Sequence, residues 1–348
     1  MSLFTIHARA LTSLYADVEG VALTLHSPLL GTPGSVVERT NASGFRFYSH
    51  QFYNGDGKKT ERYIAGPVGA PEADAAAEAV RQQLVEVKDL VPSLRLLGRE
   101  GFNLVDAKTY ATLASLAKHG VFTAGATLIG SHAYGIILNR LGVRGVPYAT
   151  EDIDIARNEA LAFAERPSQG FLEMLKSSGI DFVEVPGLDP RTPATSFKQK
   201  GRGRFHVDLL VPSRTDDFPV VEVPELAAHA TGLPYLDYLL AESQMAMLAA
   251  REGCCPVRVP LAERFCVHKL LVSALRTGRD AKSQKDVFQA AVLAAALAEL
   301  EPGALASAKE ALPKRAEKLW RRGMDAVAKH IEFLHPRAWE ELQGAAHS

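Results

Sequence analysis

Cysteine is scarce in this chain of 348 residues: the three present are Cys254, Cys255 and Cys266, and they lack metal-ligand spacing. An odd, low count argues against a disulfide framework and for a reducing compartment, so all three read as buried thiols. Net charge is almost absent too, with 39 Lys and Arg against 40 Asp and Glu. No global field attracts nucleic acid, and any such contact must come from local patches. Long apolar runs are also missing. The most apolar, residues 290–297, falls far short of the ~20 residues needed to span a bilayer, and reads as an Ala-rich buried helix. No basic stretch leads into an apolar segment at the N-terminus, so no signal peptide is expected and the location reads as cytoplasmic. No internal repeat is visible. Apolar content of 47% is ample for a packed core, and the length suggests two or three domains or one core with additions.

What the chain does have is concentrated in three segments. In Thr150-Glu151-Asp152-Ile153-Asp154-Ile155, period-two alternation puts Asp152 and Asp154 on one strand face and both isoleucines on the other. Two carboxylates side by side repel unless a cation sits between them. A hard divalent ion such as magnesium, which prefers oxygen ligands, fits. Residues 204–210 alternate in the same way, with Arg204, His206 and Asp208 opposite Phe205, Val207 and Leu209. A neighbouring strand could thus deliver Asp208 to the same metal; three carboxylates suit a two-metal phosphoryl displacement, and Asp208 could also help deprotonate the attacking hydroxyl. Residues 121–129 read as a strand ending at Gly130-Ser131, followed by an apolar helical pattern. A glycine at such a turn lets backbone N–H groups approach a phosphate, and the Ser131 hydroxyl can donate to it or cap the helix. Each piece has a plainer reading: Asp-x-Asp arises by chance, and Gly-Ser before a helix is commonly a turn with a cap. The ordered combination is what favours a metal–triphosphate site. His132 and His206 read as solvent-facing or hydrogen-bonded, and Glu151, pointing away from the Asp pair, as exposed or as a support for the residues around the site.

With these residues in this order, the chain resembles the nucleotidyltransferase (polymerase-beta-like) superfamily, in a bacterial branch that shares the Gly-Ser-His-Ala-Tyr string. The resemblance covers roughly residues 120–212 and implies an α+β fold, a mixed sheet flanked by helices. It also implies a nucleoside triphosphate donor, Mg2+ or Mn2+ on Asp152, Asp154 and Asp208, and triphosphate contacts from Gly130 and Ser131. One departure is an extra loop, residues 142–149, beside the site, which puts transfer of the acceptor by analogy in doubt. A weaker resemblance, to abortive-infection type nucleotidyltransferase toxins, rests on His268-Lys269-Leu270, Arg276 and Lys285-Asp286. It implies that Lys269 could approach the triphosphate and that Asp286 supports the site, and it leaves room for a protein regulator or antitoxin as a partner. Ordinary helix-surface charges explain Lys269 and Asp286 equally well.

Outside the motifs, an N-terminal accessory region (1–105) is expected to hold a helix near residues 4–17, a β-hairpin over about 44–64 turning at Asn54-Gly55-Asp56-Gly57, and a helix over 71–90. One hairpin face interleaves Arg46, Tyr48, His50, Lys59 and Arg62, which suits stacking on bases, although a half-buried cover over the core is the favoured reading. A catalytic core (106–225) would begin with a helix capped by Asp106 and reaching about Lys118. It would include a helix near 170–178, a strand over 181–185 and a hairpin whose tip carries Lys198, Lys200, Arg202 and Arg204. That tip reads equally as a solvated loop or as a receiver of triphosphate or RNA. A helical C-terminal domain (226–348) would hold helices over 239–251, 261–277, 282–300 and 312–333, the last basic.

The function this supports is metal-dependent transfer of a nucleoside monophosphate to an acceptor hydroxyl or phosphate, with RNA or tRNA favoured over a protein or small molecule, and toxin-like in its resemblance. A non-catalytic nucleotide- or nucleic-acid-binding regulatory module on the same fold is the alternative. A sugar transferase using Asp-x-Asp fits the Gly-Ser turn and Asp208 poorly.

Overall fold

The computed structural model describes residues 3–25, 27–146, 150–187, 191–215, 217–276 and 281–344. In chain order the elements begin with β1 (Thr5–Ile6) and α1 (Arg9–Leu23). A three-stranded antiparallel sheet follows, of β2 (Ser35–Thr40), β3 (Arg46–Tyr53) and β4 (Lys59–Ala65). Then come α2 (Pro71–Arg99), α3 (Ala107–Lys118), β5 (Thr127–Ile129), α4 (Gly130–Arg140), β6 (Val143–Arg144), β7 (Asp152–Ala156) and α5 (Phe171–Lys176). β8 (Phe182–Glu184), β9 (Ser196–Gln199), β10 (His206–Ser213), β11 (Val220–Val223), β12 (Ala228–Pro234) and α6 (Leu236–Leu240) lead to β13 (Ser243–Ala250) and β14 (Gly253–Pro260). The chain closes with α7 (Ala262–Leu275), α8 (Ala281–Leu300), α9 (Ala304–Glu310), α10 (Glu317–Ile331) and α11 (Pro336–Gln343).

The central sheet is mixed, in the order β11-β12-β10-β7-β5, with β8 and β9 added through β10. One edge of β10 runs parallel to β7. Its other edge is divided: residues 206–208 pair antiparallel with β9, and residues 210–213 pair parallel with β12. Helices flank this sheet, and β12 continues it past residue 225. The α+β class with helices at the C-terminal end is thus the observed architecture. α7 and α8 run antiparallel, as the pairings of Lys269 with Asp286 and of the Cys266 thiol with the Ala290 carbonyl require. The Ala-rich residues 290–298 are all buried there. α10 packs on α7 so closely that a Cβ on Gly323 would lie 2.7 Å from the Leu270 carbonyl oxygen. Among the described residues no helix is long and apolar enough to cross a membrane, and all three cysteines are buried free thiols.

Several local expectations hold. Asp106 caps α3, its carboxylate accepting from the Lys108 and Thr109 amides. The Asn54–Gly57 turn closes the β3–β4 hairpin, with Asn54 Oδ1 accepting from the Asp56 and Lys58 amides. Others are corrected. The first helix starts at Arg9, because residues 5–6 are extended against β6. α2 runs through Pro92, which lies on its exposed side. The strand leading to Gly130 is only three residues long. Residues 239–251 form no single helix: after α6 they are β13, in full register with β14. Ala, Met and Leu are good helix formers, but pairing along all of β14 and burial overrode that propensity. β2, α9 and α11 were not anticipated, and the expected helix over 312–333 is a short 3-10 turn followed by α10.

Candidate active site

β7 and β10 are parallel and in register, with Asp152 opposite His206 and Asp154 opposite Asp208. Alternation puts these four side chains on one face, and Ile153, Ile155, Val207 and Leu209 are buried on the other. Burying each apolar chain contributes roughly 1.5–3 kcal/mol, and a one-residue slip would exchange the faces, so the core side holds the acidic face in register. On the far edge of β7, Ile129 of β5 lies opposite Asp154, and the next residue, Gly130, opens α4. Gly130 has φ +70°, and a Cβ there would lie 2.0 Å from Asp154 Oδ2. Only glycine permits that backbone conformation together with so close an approach to the carboxylate. Ser131 follows, partly exposed in the first turn of α4. The predicted set of Gly130, Ser131, Asp152, Asp154 and Asp208 is thus brought together by three adjacent strands and one helix start.

The electrostatics are those of crowded like charge. Burial, then Asp208, pushes the Asp154 carboxyl up to about 6, with Lys269 opposing and Asp152 adding. His206 lies between the other two acids: Nδ1 is 3.4 Å from Asp152 Oδ1, and Nε2 is 3.4 Å from Asp208 Oδ2. Its Nδ1–H also donates to the Arg204 carbonyl at 2.8 Å. Burial lowers the imidazole pKa, but the Arg204 carbonyl and the three carboxylates outweigh it and raise the pKa overall. The expected hydrogen-bonded histidine is observed, with a role the sequence reading did not assign, as a bridge between two carboxylates. The alternation that placed His206 with Asp208 was the signal for it. Ser196, opposite Asp208 on β9, donates its hydroxyl to Asp208 Oδ1. Nothing in the sequence marked Ser196, because its position depends on cross-strand pairing. His132 is held neutral: burial lowers its pKa to about 4, against the nearby Asp106 carboxylate, and its Nε2 has no hydrogen-bond partner. Glu151 is exposed, as expected.

Behind the carboxylates, α7 and α8 carry a buried ion-pair cluster. Asp286, 4% exposed, receives Lys269 Nζ at 2.7 Å and lies 3.2 Å from Arg276 Nε. Lys269, 12% exposed, also lies over the Phe265 ring. These are not helix-surface charges: a carboxylate so buried requires its partners. The charge of Lys269 reaches Asp154. Lys285 adjoins the cluster; burial, then Lys269, holds its ammonium below the ordinary value, and Asp286, Asp152 and Asp154 act the other way.

The basic tip projects from the same hairpin that carries Asp208. Lys200, Arg202 and Arg204 are exposed, Lys198 is half-buried, and Lys200 lies 3.9 Å from Asp181. The N-terminal hairpin is spent on structure. Its tip is fastened to α3 and β9, with the Gln199 amide donating to Asp56 at 2.9 Å and Lys108 to Gln199 at 2.9 Å. Tyr48 donates to Asp74, His50 to the Pro33 carbonyl and Arg62 to the Ser177 carbonyl. Part of the extra loop, residues 147–149, lies outside the described residues.

Asp152, Asp154 and Asp208 are the residues that could hold a divalent cation. Among the described residues no group of three or more His, Cys, Asp or Glu already has metal-holding geometry; Asp208 is turned toward Ser196 and His206. The donor set itself is all carboxylate oxygen, and Asp154 is raised by burial first and by the neighbouring Asp208 and Asp152 carboxylates after it. That chemistry fits a hard cation such as Mg2+ after side-chain rotation. With phosphate-approaching backbone at Gly130 and cations behind, the arrangement can hold a polyphosphate and stabilise charge on it.

No curated protein and no solved structure matches this chain. A nucleotidyltransferase family model matches residues 107–313, from the start of α3 to beyond α9, and so takes in every element described around the acidic face. A match over more than half of the chain, centred on that face, makes this protein a member of the nucleotidyltransferase family.

Proposed function

We propose that the protein transfers a nucleoside monophosphate from a nucleoside triphosphate to an acceptor hydroxyl and releases pyrophosphate. The observation that carries this reading is the register of β7 and β10, which sets Asp208 beside Asp154 on one face with Gly130 pressed against the Asp154 carboxylate. In this reading Asp152, Asp154 and Asp208 hold Mg2+ or Mn2+, which when bound neutralises charge on the phosphates and on the attacking and leaving oxygens. The backbone at Gly130, the Ser131 hydroxyl and the Lys269 ammonium bind and orient the triphosphate. Asp208 takes the acceptor's proton as the acceptor oxygen bonds to the α-phosphorus. The bond from that phosphorus to the oxygen bridging the β-phosphate breaks, and the electron pair leaves with pyrophosphate. His206, between Asp152 and Asp208, steadies both carboxylates before substrate arrives. The Lys269–Asp286–Arg276 cluster fixes the positive charge behind Asp154, so little reorganisation is needed during reaction. Acceptors with a polyanionic backbone are favoured, RNA among them, because Lys198, Lys200, Arg202 and Arg204 project from the hairpin that carries Asp208.

The test is incubation with each α-labelled nucleoside triphosphate, Mg2+ or Mn2+, cellular RNA and lysate protein. Label transferred by the wild type and not by Asp152→Ala/Asp154→Ala is the expected result. Tight triphosphate binding without transfer to any acceptor would replace the enzyme by a nucleotide-binding regulatory module. If the labelled acceptor is RNA, induced expression of the wild type and not of the double variant should arrest growth, as a toxin-like role requires.

A further inference from the structure

Between α8 and α10 lies a cavity of about 1020 Å³ lined in part by Lys285, Phe288, Arg322, Asp325, Lys329 and His330. Three cations face a single carboxylate in this groove. Arg322 and Lys329 are exposed and, among the described residues, neither is held in an ion pair, whereas Arg321 on the outer side of the same helix pairs with Glu317 at 3.0 Å. The two free cations are seven residues apart on α10, two turns or about 10 Å along the axis, which is wider than the close-set phosphates of one triphosphate. In the same lining, Phe288 and His330 meet edge to face, with centroids 5.8 Å apart at 90°. Both rings are half-buried in the lining. Burial, then Lys329, lowers the His330 pKa, which favours the neutral ring. At its inner end the groove reaches Lys285, which adjoins the Lys269–Asp286 pair and lies within the field of Asp152 and Asp154. The close packing of α10 on α7 through Gly323 holds the two walls together.

We propose that this groove binds a single-stranded polynucleotide, with phosphates on Arg322, Lys329 and Lys285 and a base against the Phe288–His330 pair. Its end is led toward the acidic face. Cations and aromatic rings lining one groove suit the phosphates and bases of such a strand, and a small local patch supplies what the near-neutral chain as a whole does not. The direction of the bound end rests on the transferase reading; binding itself does not.

The test uses the full chain, a short fluorescein-labelled single-stranded RNA and its DNA counterpart, and fluorescence anisotropy across a salt series. Arg322→Glu/Lys329→Glu is compared with Lys318→Glu/Arg321→Glu, which makes the same charge change on the same helix outside the groove. The groove pair is expected to weaken binding by at least about tenfold and to reduce the salt slope by about 1.4, the value for two lost phosphate contacts on a single strand. The outer pair should change binding by less than about threefold, consistent with screening of exposed charge. Magnesium-dependent triphosphate binding should be unchanged in both. RNA and DNA binding alike indicates phosphate and ring contacts alone, and RNA binding alone adds a 2′-hydroxyl contact; both support the groove. Equal weakening by the two pairs, no weakening, no binding of either strand, or lost triphosphate binding in the groove pair overturns it. Polynucleotide binding without any nucleotidyl transfer would sink the transferase reading and leave the groove. Transfer to a protein or small molecule, undisturbed by the groove pair and without strand binding, would do the reverse.

Discussion

Two strand pairs in this molecule carry interleaved polar and apolar side chains, and they differ in how completely their polar groups are satisfied. On the β3–β4 hairpin, His50, Arg62, Tyr48 and Asn54 each have a partner, and Gln51 shares Glu61 with Arg39 of the adjoining β2. On β7–β10, three carboxylates crowd one face with one histidine between them, and Asp154 is pushed up to about 6 by burial and by Asp208. A strand pair that serves the fold pairs its polar groups, because unpaired ones are costly. A strand pair that leaves like charges together is a candidate functional face.

The comparison can be broken most sharply at the acids. Asp154→Asn should cut nucleotidyl transfer by about a thousandfold, equivalent to about 4 kcal/mol of transition-state stabilisation. The same change should leave the melting temperature unchanged or higher, because it removes like-charge repulsion. A marked fall in melting temperature with activity retained would make Asp154 a structural residue. Chelation is the companion test. EDTA should abolish transfer and Mg2+ or Mn2+ restore it, and transfer that persists in EDTA would remove the metal from the site.

Gly130→Ala comes next. Its Cβ would fall on the Asp154 carboxylate, at a backbone angle that suits only glycine. A loss of about a hundredfold in kcat/KM is expected, as when one donor to developing charge is misplaced. Full activity would show that the approach to Asp154 is incidental. Asp286→Ala should instead act first on folding, because it leaves Lys269 and Arg276 without their buried partner. Breaking such a cluster costs about 3–5 kcal/mol, which denaturant titration would read directly, and an unchanged midpoint would remove the cluster from the stability of the fold.

The smallest effect belongs to the hairpin. Arg62→Ala removes a hydrogen bond to the Ser177 carbonyl and a contact over the Phe52 ring. It should destabilise by about 1–2 kcal/mol with transfer kinetics unchanged. A selective loss of transfer would return the hairpin to the substrate-binding surface.

The acidic face was legible because its evidence is local. Alternation over five residues fixes which side chains share a face, and isoleucine at 153 and 155 says which face is buried. Asp106 as a cap and Asn54–Gly57 as a turn are likewise properties of a few consecutive residues. The misreadings lie where the deciding partner is far away in sequence. Residues 243–250 have helix-forming side chains, and only pairing with β14 makes them a strand. α2 continues past Pro92 because its buried side, through Val91, Leu94 and Leu97, holds on to the core. Lys269 and Asp286 could not be told from surface charge until α7 and α8 were laid side by side.

The sequence by itself therefore determined the acidic face and the glycine turn beside it, since each follows from periodicity and short-range backbone geometry, while the α+β class came with the family resemblance that those residues carry. Only the tertiary structure decided that His206 bridges two acids, that Ser196 holds Asp208, and that Lys269 and Lys285 stand behind the face. Those relations depend on strand order and helix packing. Such pairings are selected by the burial of the whole core, and no short stretch of residues encodes them.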